Sequence, residues 1–573
     1  MKKIFILALL WLGITNAADL SIFPINKAKF LAGTKFDLLI QCDKCKDSNI
    51  DVQVNGIPAT KFFKKEVKLY EDNGIKYYRI DEASFEKAGN FKVSAKSDGV
   101  NKYVDYNVVT TANKSPKKAK NVILYIGDGM SLQAKQMARI LSKGIVEGKY
   151  NGLLEMENLE NMALITTSGY DSLTTDSANS ASAYATGHKA TTGAVGVYTD
   201  KTKDSLDDPK VENISEILKR TKNMSIGLVT TASVTDATPA AMVAHTRDRG
   251  EQEFIAFDML RLKPDVILGG GLRYFLPKEN KDSKRKDSND LIKMFKEAGY
   301  EISYNKNDLE KISSKNPQKI LGLYNLNHMN VYLDREVLKN KEVLGSFDAE
   351  PNLMQMTKSA LNILSKNKNG FFLMVEGASI DKQLHAMDWQ RATYDAIEFD
   401  KAVALGKDFA KKNGDTLIIV VADHAHGASI TGTYHEMDGK SGKEAVRTYQ
   451  DSAFPTFEDK DGDGFPDNPD PEITLAVQFA NHPDYNASYR LREKPDPINI
   501  PDPNGGYIAN PAIKGEHYKG NIPSIEDQET HAADDVVLMS GGVGSEYFRG
   551  VMDNTEVFFG IMEALGVDAR KNK

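Results

Sequence analysis

The hydrophobic rhythm of the chain changes once, near residue 120. Between residues 19 and 112 apolar side chains recur at every second position, as in Phe36, Leu38 and Ile40, then Phe91, Val93 and Ala95, then Val104, Tyr106 and Val108. A period of two puts these side chains on one face of a strand. Turn signals separate the runs at Asn55-Gly56, Asp72-Asn73-Gly74, Ala88-Gly89-Asn90 and Asp98-Gly99. About seven short strands spaced in this way predict a small all-β, immunoglobulin-like sandwich. A polar, proline-broken stretch follows, and 113–120 reads as a linker.

From Asn121 onward the apolar runs are continuous: Val122–Ile126, Ile226–Val229, Val266–Leu268, Phe371–Val375, Leu417–Val421 and Val536–Met539. Helical stretches such as Asn352–Leu364 and Ala392–Lys411 lie between them. Apolar strands alternating with helices predict an α/β domain over 121–573, with a mostly parallel central sheet covered on both faces. In such sheets ligands bind beyond the carboxyl ends of the strands.

Composition narrows the partners. At 573 residues the chain is too long for one core. Its net charge of −7 and lack of a basic stripe give no footing for nucleic acid. Lys2 and Lys3, the apolar run Ile4–Ile14 and the small residues Thr15-Asn16-Ala17-Ala18 read as a signal peptide over 1–18. No later segment is long and apolar enough to span a bilayer, so the mature protein is expected in the periplasm or outside the cell. Cys42 and Cys45 are spaced to close a local disulfide in that compartment.

Chemistry gathers where the strands end. Asp128 follows Val122–Ile126, Glu376, Asp381 and His385 follow Phe371–Val375, and Asp423-His424 and His426 follow Leu417–Val421. His531 lies just before Val536–Met539. Asp381 and His385 are four apart, so a helix presents both on one face. Carboxylates and imidazoles together suit zinc and magnesium. Each motif alone has a bland reading as a cap or a surface residue; their convergence on one rim does not. Thr175-Asp176-Ser177-Ala178 supplies a hydroxyl at a helix start, where free N–H groups favour phosphate, although Asp-Ser alone is equally an N-cap signal.

Gly127-Asp128-Gly129-Met130, Thr175-Asp176-Ser177-Ala178, Asp236-Ala237-Thr238-Pro239-Ala240, Val375-Glu376-Gly377, Ala422-Asp423-His424-Ala425-His426 and Glu529-Thr530-His531-Ala532 occur in the order of the alkaline phosphatases. The chain resembles that family from about residue 120 to 565, with an insertion at about 430–525 that enlarges the domain. The resemblance implies a hydrolase of small phosphate monoesters, phosphorylated on Ser177, with the equatorial oxygens clamped by Arg249. It implies one zinc at Asp381, His385 and His531, a second at Asp423, His424 and a bridging Asp128, and magnesium at Asp128, Thr238 and Glu376. His426 is implied as an outer residue. Asp236 and Lys382 match the pair of the bacterial two-zinc, one-magnesium members, acting through water. Members are often dimers, which leaves a homodimer open here.

The insertion carries an acidic loop, Asp459 to Asp470, with oxygen donors at Asp459, Asp461, Asp463, Asp467 and Asp470 and Phe465 at the position that offers a main-chain carbonyl. That spacing is expected to hold structural Ca2+. Two other readings stand beside the phosphatase. A phosphodiesterase or related metal-dependent hydrolase would keep the fold and change the ester. A calcium-dependent surface adhesion protein would rest on the sandwich and the acidic loop.

Overall fold

A computed structural model describes residues 18–46, 49–112, 117–436, 439–482, 491, 499–512 and 528–570. The signal-peptide reading therefore lies outside the described residues up to position 17, as do the linker's first half, 113–116, and part of the insertion. Two compact units emerge. One comprises the chain up to Val109 with Asp200–Pro209; the other runs from Thr110 to Thr199 and from Lys210 onward.

The first unit has nine strands in two sheets of four and five. Two of them, Lys29–Leu31 and Ile57–Pro58, are too short to show an alternation, so the period detects fewer. Val104, Tyr106 and Val108 alternate with exposed neighbours as expected. Lys35–Asp43 does not: Phe36 through Cys42 are all buried. Its second face carries Asp37, Leu39 and Gln41, and the two polar members are satisfied. Asp37 takes Arg79 at 2.6 Å, and Gln41 accepts the Lys201 N–H at 2.9 Å. Cys42 and Cys45 are joined as a disulfide.

The second unit is built on a ten-stranded sheet. Its middle strands, Ser225–Ser233, Phe371–Gly377, Asn121–Gly127 and Thr416–Ala422, lie side by side and parallel. The last three are buried at every position. Such burial, worth ~1.5–3 kcal/mol for each large aliphatic side chain, explains the unbroken apolar runs. Leu353–Leu364 and Trp389–Asn413 pack together against these strands, and Leu132–Lys143 packs on Trp389–Asn413. Ser177–Thr186, Ala237–Ala241 and Glu556–Leu565 form a second helical set.

Val536–Gly542 departs from the parallel pattern, pairing antiparallel with both Thr416–Ala422 and Asn161–Thr166. The reversal matters for function. In a parallel strand, a residue preceding the strand would sit at the far edge of the sheet; here the amino end of Val536–Gly542 lies beside the carboxyl ends of its neighbours. His531 thus reaches the same rim as Asp128 and Asp423. Among the described residues no helix is long and apolar enough to cross a membrane.

Candidate metal centre and nucleophile

Asp128 leaves the end of Asn121–Gly127, where its N–H donates to the Gly377 carbonyl at 3.2 Å. Gly129 follows with φ +61°, and a Cβ there would lie 2.9 Å from the Asp381 side chain. Glycine is required by both the backbone angle and the close approach. Asp381 and His385 lie on the helix Ser379–His385, with His385 Nε2 3.4 Å from Asp381 Oδ2.

The histidines reveal their tautomers through their partners. His385 Nδ1 donates to the Glu529 carbonyl at 2.6 Å, and His531 Nδ1 donates to the Thr175 carbonyl at 2.7 Å. Each therefore turns an unprotonated Nε2 inward in its neutral form. These two atoms are 3.0 Å apart, and His531 Nε2 is 3.3 Å from Asp381 Oδ1. Facing lone pairs at that distance call for a cation. His426 is the reverse. Its Nδ1 accepts the Gly427 N–H at 3.1 Å, so Nε2 carries the proton and faces Asp381 Oδ1 at 3.5 Å. It belongs to the group Asp381, His385, His426 and His531, whose ligand atoms lie within 4.8 Å of one another, but turns toward the carboxylate an N–H that makes no hydrogen bond with it.

A second group joins Asp128, Asp381 and His424. His424 Nδ1 faces the Ala425 carbonyl at 3.3 Å, leaving Nε2 3.3 Å from Asp128 Oδ1 and 3.5 Å from Asp423 Oδ2. The other Asp423 oxygen accepts the N–H groups of Gly129 and His424 at 3.0 and 2.9 Å. Glu376 sits opposite Ile126 and Thr230 in the sheet and accepts the Thr230 hydroxyl at 2.6 Å.

The donor set fits divalent cations. Asp381 Oδ1, Asp423 Oδ2 and Thr238 Oγ1 are buried without a hydrogen-bond partner. Such atoms cost free energy unless something ligates them. Burial, reinforced by Asp128, pushes the Asp423 and Glu376 carboxyls well above their ordinary range. Burial raises Asp381 too, but His385 and His531 outweigh it and hold that carboxyl well below. A rim with this much crowded carboxylate is short of positive charge.

Ser177 opens the helix Ser177–Thr186, buried at all ten positions. Asp176 is the cap, accepting from Asn179 N in a capping box. The serine hydroxyl is thus spared for other work. Ser177 Oγ lies 3.5 Å from Asp128 Oδ1 and 3.4 Å from His424 Nε2. The other Asp176 oxygen holds Arg249 at 3.2 Å, and Asp236 holds both Arg249 and Lys382 at 3.0 Å. Arg249 and Lys382 keep Asp236 ionised against the effect of burial.

Several members of this neighbourhood escape the sequence reading. His328 accepts the Ser233 N–H at 3.2 Å and lies 3.7 Å from Asp236; burial and then Lys382 lower its pKa to about 4. His245 bonds the Gly196 carbonyl and Glu216, both at 3.0 Å, and so braces the loop leading to Arg249. Thr230 directly follows the apolar run Ile226–Val229, where the rim rule could have found it. In the acidic loop Asp459, Asp461 and Asp467 come within 4.8 Å of one another and are exposed, while Asp463 and Asp470 stand outside that group. Phe465 is buried and stacks on Tyr332 at 4.1 Å.

A family model described as alkaline phosphatase matches residues 119–567. The chain belongs to the alkaline phosphatase family. An alkaline phosphatase of Gadus morhua is 30% identical over 481 residues, covering 78% of this chain and 91% of that protein. The Escherichia coli alkaline phosphatase is 33% identical over 379 residues, covering 59% and 78%. The alkaline phosphatase of the Antarctic bacterium TAB5 superposes with a TM-score of 0.54 at 27% identity, covering 78% of this chain and 99% of that one. The alkaline phosphatase of Thermus thermophilus shares the fold, with a TM-score of 0.57 at 24% identity over 80% and 93%. The chain is accordingly a phosphatase acting on phosphate monoesters, and the ester-changing and adhesion readings fall away.

Proposed function

We propose that the phosphatase works through a phosphoserine on Ser177, with zinc at the two histidine–carboxylate groups and magnesium at Asp128, Thr238 and Glu376. One observation carries the reading. Ser177 Oγ stands within 3.5 Å of Asp128 and His424 at the head of a buried helix whose cap is a different residue. Bound there, the metals would supply Lewis acidity at the attacking and leaving oxygens of an in-line displacement. His385 and His531 would ligate through Nε2, with Asp381, and His424 through Nε2 with Asp423 and Asp128. His426 stays outside, with its Nε2–H 3.5 Å from Asp381 Oδ1.

The remaining residues bind and orient. Arg249 is aimed by Asp176 and Asp236, leaving its guanidinium partly open to hold two phosphoryl oxygens. Free N–H groups at the Ser177 helix start favour the same anion. The Ser177 Oγ–P bond forms as the P–O bond to the alcohol breaks; water then cleaves the phosphoserine. Two inversions give retention at phosphorus.

The Lys382–Asp236 pair supports the zinc–magnesium set. A histidine-to-aspartate mutant of the Antarctic enzyme has magnesium bound in its M3 site, which supports magnesium as the third ion. Structural calcium at the Asp459 loop, export to the periplasm or the exterior, and a homodimer complete the proposal. Hydrolysis of p-nitrophenyl phosphate at alkaline pH tests it. Turnover should disappear with a chelator and return with zinc plus magnesium, and acid quenching should trap phosphate on the Ser177 peptide. Metal-independent turnover, or phosphate trapped elsewhere, would overturn it.

A further inference from the structure

Part of the inserted segment packs beside the metal centre. Its return strand, Thr474–Phe479, is followed by Ala480, Asn481 and His482, and these meet the residues on either side of Glu529. His385 and Glu529 are tied reciprocally: His385 Nδ1 donates to the Glu529 carbonyl at 2.6 Å, and Glu529 N–H donates to the His385 carbonyl at 2.9 Å. The Glu529 side chain is 1% exposed and would be costly there without partners. Asn481 N–H supplies one, at 3.3 Å from Oε2, and His482 Nδ1 faces the same oxygen at 3.4 Å. Asn481 also accepts the Thr530 N–H at 3.3 Å and donates to the Gln528 carbonyl at 3.4 Å.

The knot closes through Gly427. Its N–H donates to Thr530 at 3.2 Å, and its carbonyl accepts the Ala480 N–H at 2.7 Å. A Cβ at Gly427 would fall 2.2 Å from Glu529 Oε1 and 3.0 Å from Ala480 Cβ, so the strands could not meet with a larger residue. One step further on, His531 pairs with His426 in a two-residue ladder. Both inward-facing histidines of the Asp381 group are therefore set by main-chain atoms at 529–532, and Asn481, His482 and Glu529 fix that main chain.

We propose that Asn481, His482 and Glu529 are positioning residues for the first zinc site, holding His385 in the tautomer, and the main chain that carries His531 in the place, a zinc ion requires. The inference rests on the zinc reading above. Partners that fix a ligand's orientation typically change metal affinity by ~10–100-fold when lost. The insertion is thus a metal-retention device as well as an appendage.

The test follows zinc released from the full-length, zinc- and magnesium-loaded protein into excess chromogenic chelator. Asn481→Ala and Glu529→Ala should release one zinc ~10–100-fold faster, with the second zinc and the magnesium retained. Their turnover should recover on adding zinc, at unchanged KM, since Ser177 and Arg249 lie outside the knot. His482→Asn, which keeps a donor near Nδ1, should release zinc at the parental rate, and His482→Ala faster. Parental release from Asn481→Ala and Glu529→Ala would overturn the proposal. So would equal loss of all metals with the same fall in Tm in the metal-free proteins, the mark of a merely structural role. A parent that takes up no zinc would instead refute the zinc reading itself, before any variant is compared.

Discussion

Two clusters of aspartates in the second unit use the same side chain in opposite ways. At the sheet rim Asp128, Asp381 and Asp423 are buried, and Asp381 and Asp423 each keep an oxygen without a hydrogen-bond partner. In the acidic loop Asp459, Asp461 and Asp467 are exposed. Asp459 accepts Gly464 N–H at 2.8 Å, Asp461 accepts Asp463 N–H at 3.0 Å, and Asp467 accepts Lys460 N–H. Water and the loop's own backbone already satisfy the second cluster. Only a cation can satisfy the first. Proximity of carboxylates therefore says little about function until burial and partners are counted.

The largest expected effect separates the rim's chemistry from its metals. Ser177→Ala should lower turnover by on the order of 10^4 or more, while elemental analysis still finds zinc and magnesium, because no inward lone pair of His385, His424 or His531 belongs to Ser177. Asp459→Asn in the loop should leave turnover within about two-fold. Comparable losses in both variants would erase the contrast.

Arg249→Ala comes next. Two charge-assisted bonds aim the guanidinium, and losing such contacts to phosphate typically costs ~1.5–3 kcal/mol. Inhibition by inorganic phosphate should weaken by roughly 10–100-fold, with little change in Tm. Unchanged inhibition would move the anion site away from Asp176 and Asp236.

The rim was legible because Asp128, Glu376 and Asp423-His424 each follow an apolar run, and apolar runs mark strands. His531 required more, since it precedes its run; its place depends on Val536–Gly542 running antiparallel, which periodicity does not encode. His328 follows Ile320–Leu323, a strand of four residues and too short to announce itself. Asn481 and Glu529 meet across 48 residues with no pattern linking them. In the first unit Lys35–Asp43 shows the same limit: its second buried face sets Asp37 and Gln41 on either side of Leu39, so alternation alone assigns it to solvent. Local sequence thus reported direction-independent features well and long-range pairings poorly.

A third kind of carboxylate calibrates the contrast. Glu350 is buried like the rim but is given protein donors, accepting Asn325 and Asn330 side chains at 2.6 and 3.1 Å and Asn330 N–H at 2.9 Å. Burial raises its pKa from 4.5 to about 7, against the pull of Arg335. A carboxyl raised in the folded state favours folding while protonated, so its contribution is complete below pH 4.5 and lost as pH climbs through about 7. Glu350→Gln should flatten the decline in Tm of the metal-loaded protein across that window, a change on the order of a few degrees. An unaltered profile would show that its neighbours keep Glu350 ionised throughout.

The smallest effect is expected at the acidic loop, and its size is the informative part. Removing calcium leaves each clustered aspartate with a hydrogen bond and with water, so no buried charge is stranded. The loop also has an anchor independent of any ion: Phe465 stacks on Tyr332 at 4.1 Å, and Tyr394 donates to the Pro466 carbonyl at 3.0 Å. Calcium that binds only the folded loop stabilises by RT ln(1 + [Ca]/Kd), about 1.4 kcal/mol at ten times Kd. In a chain of this size that corresponds to roughly a degree in Tm. Scanning calorimetry of the zinc- and magnesium-loaded protein, with and without millimolar calcium, should show this increment. It should vanish in Asp461→Asn with turnover unchanged. A shift of many degrees would mean that the loop's carboxylates are as dependent on a cation as those at the rim, and the distinction between the clusters would fail.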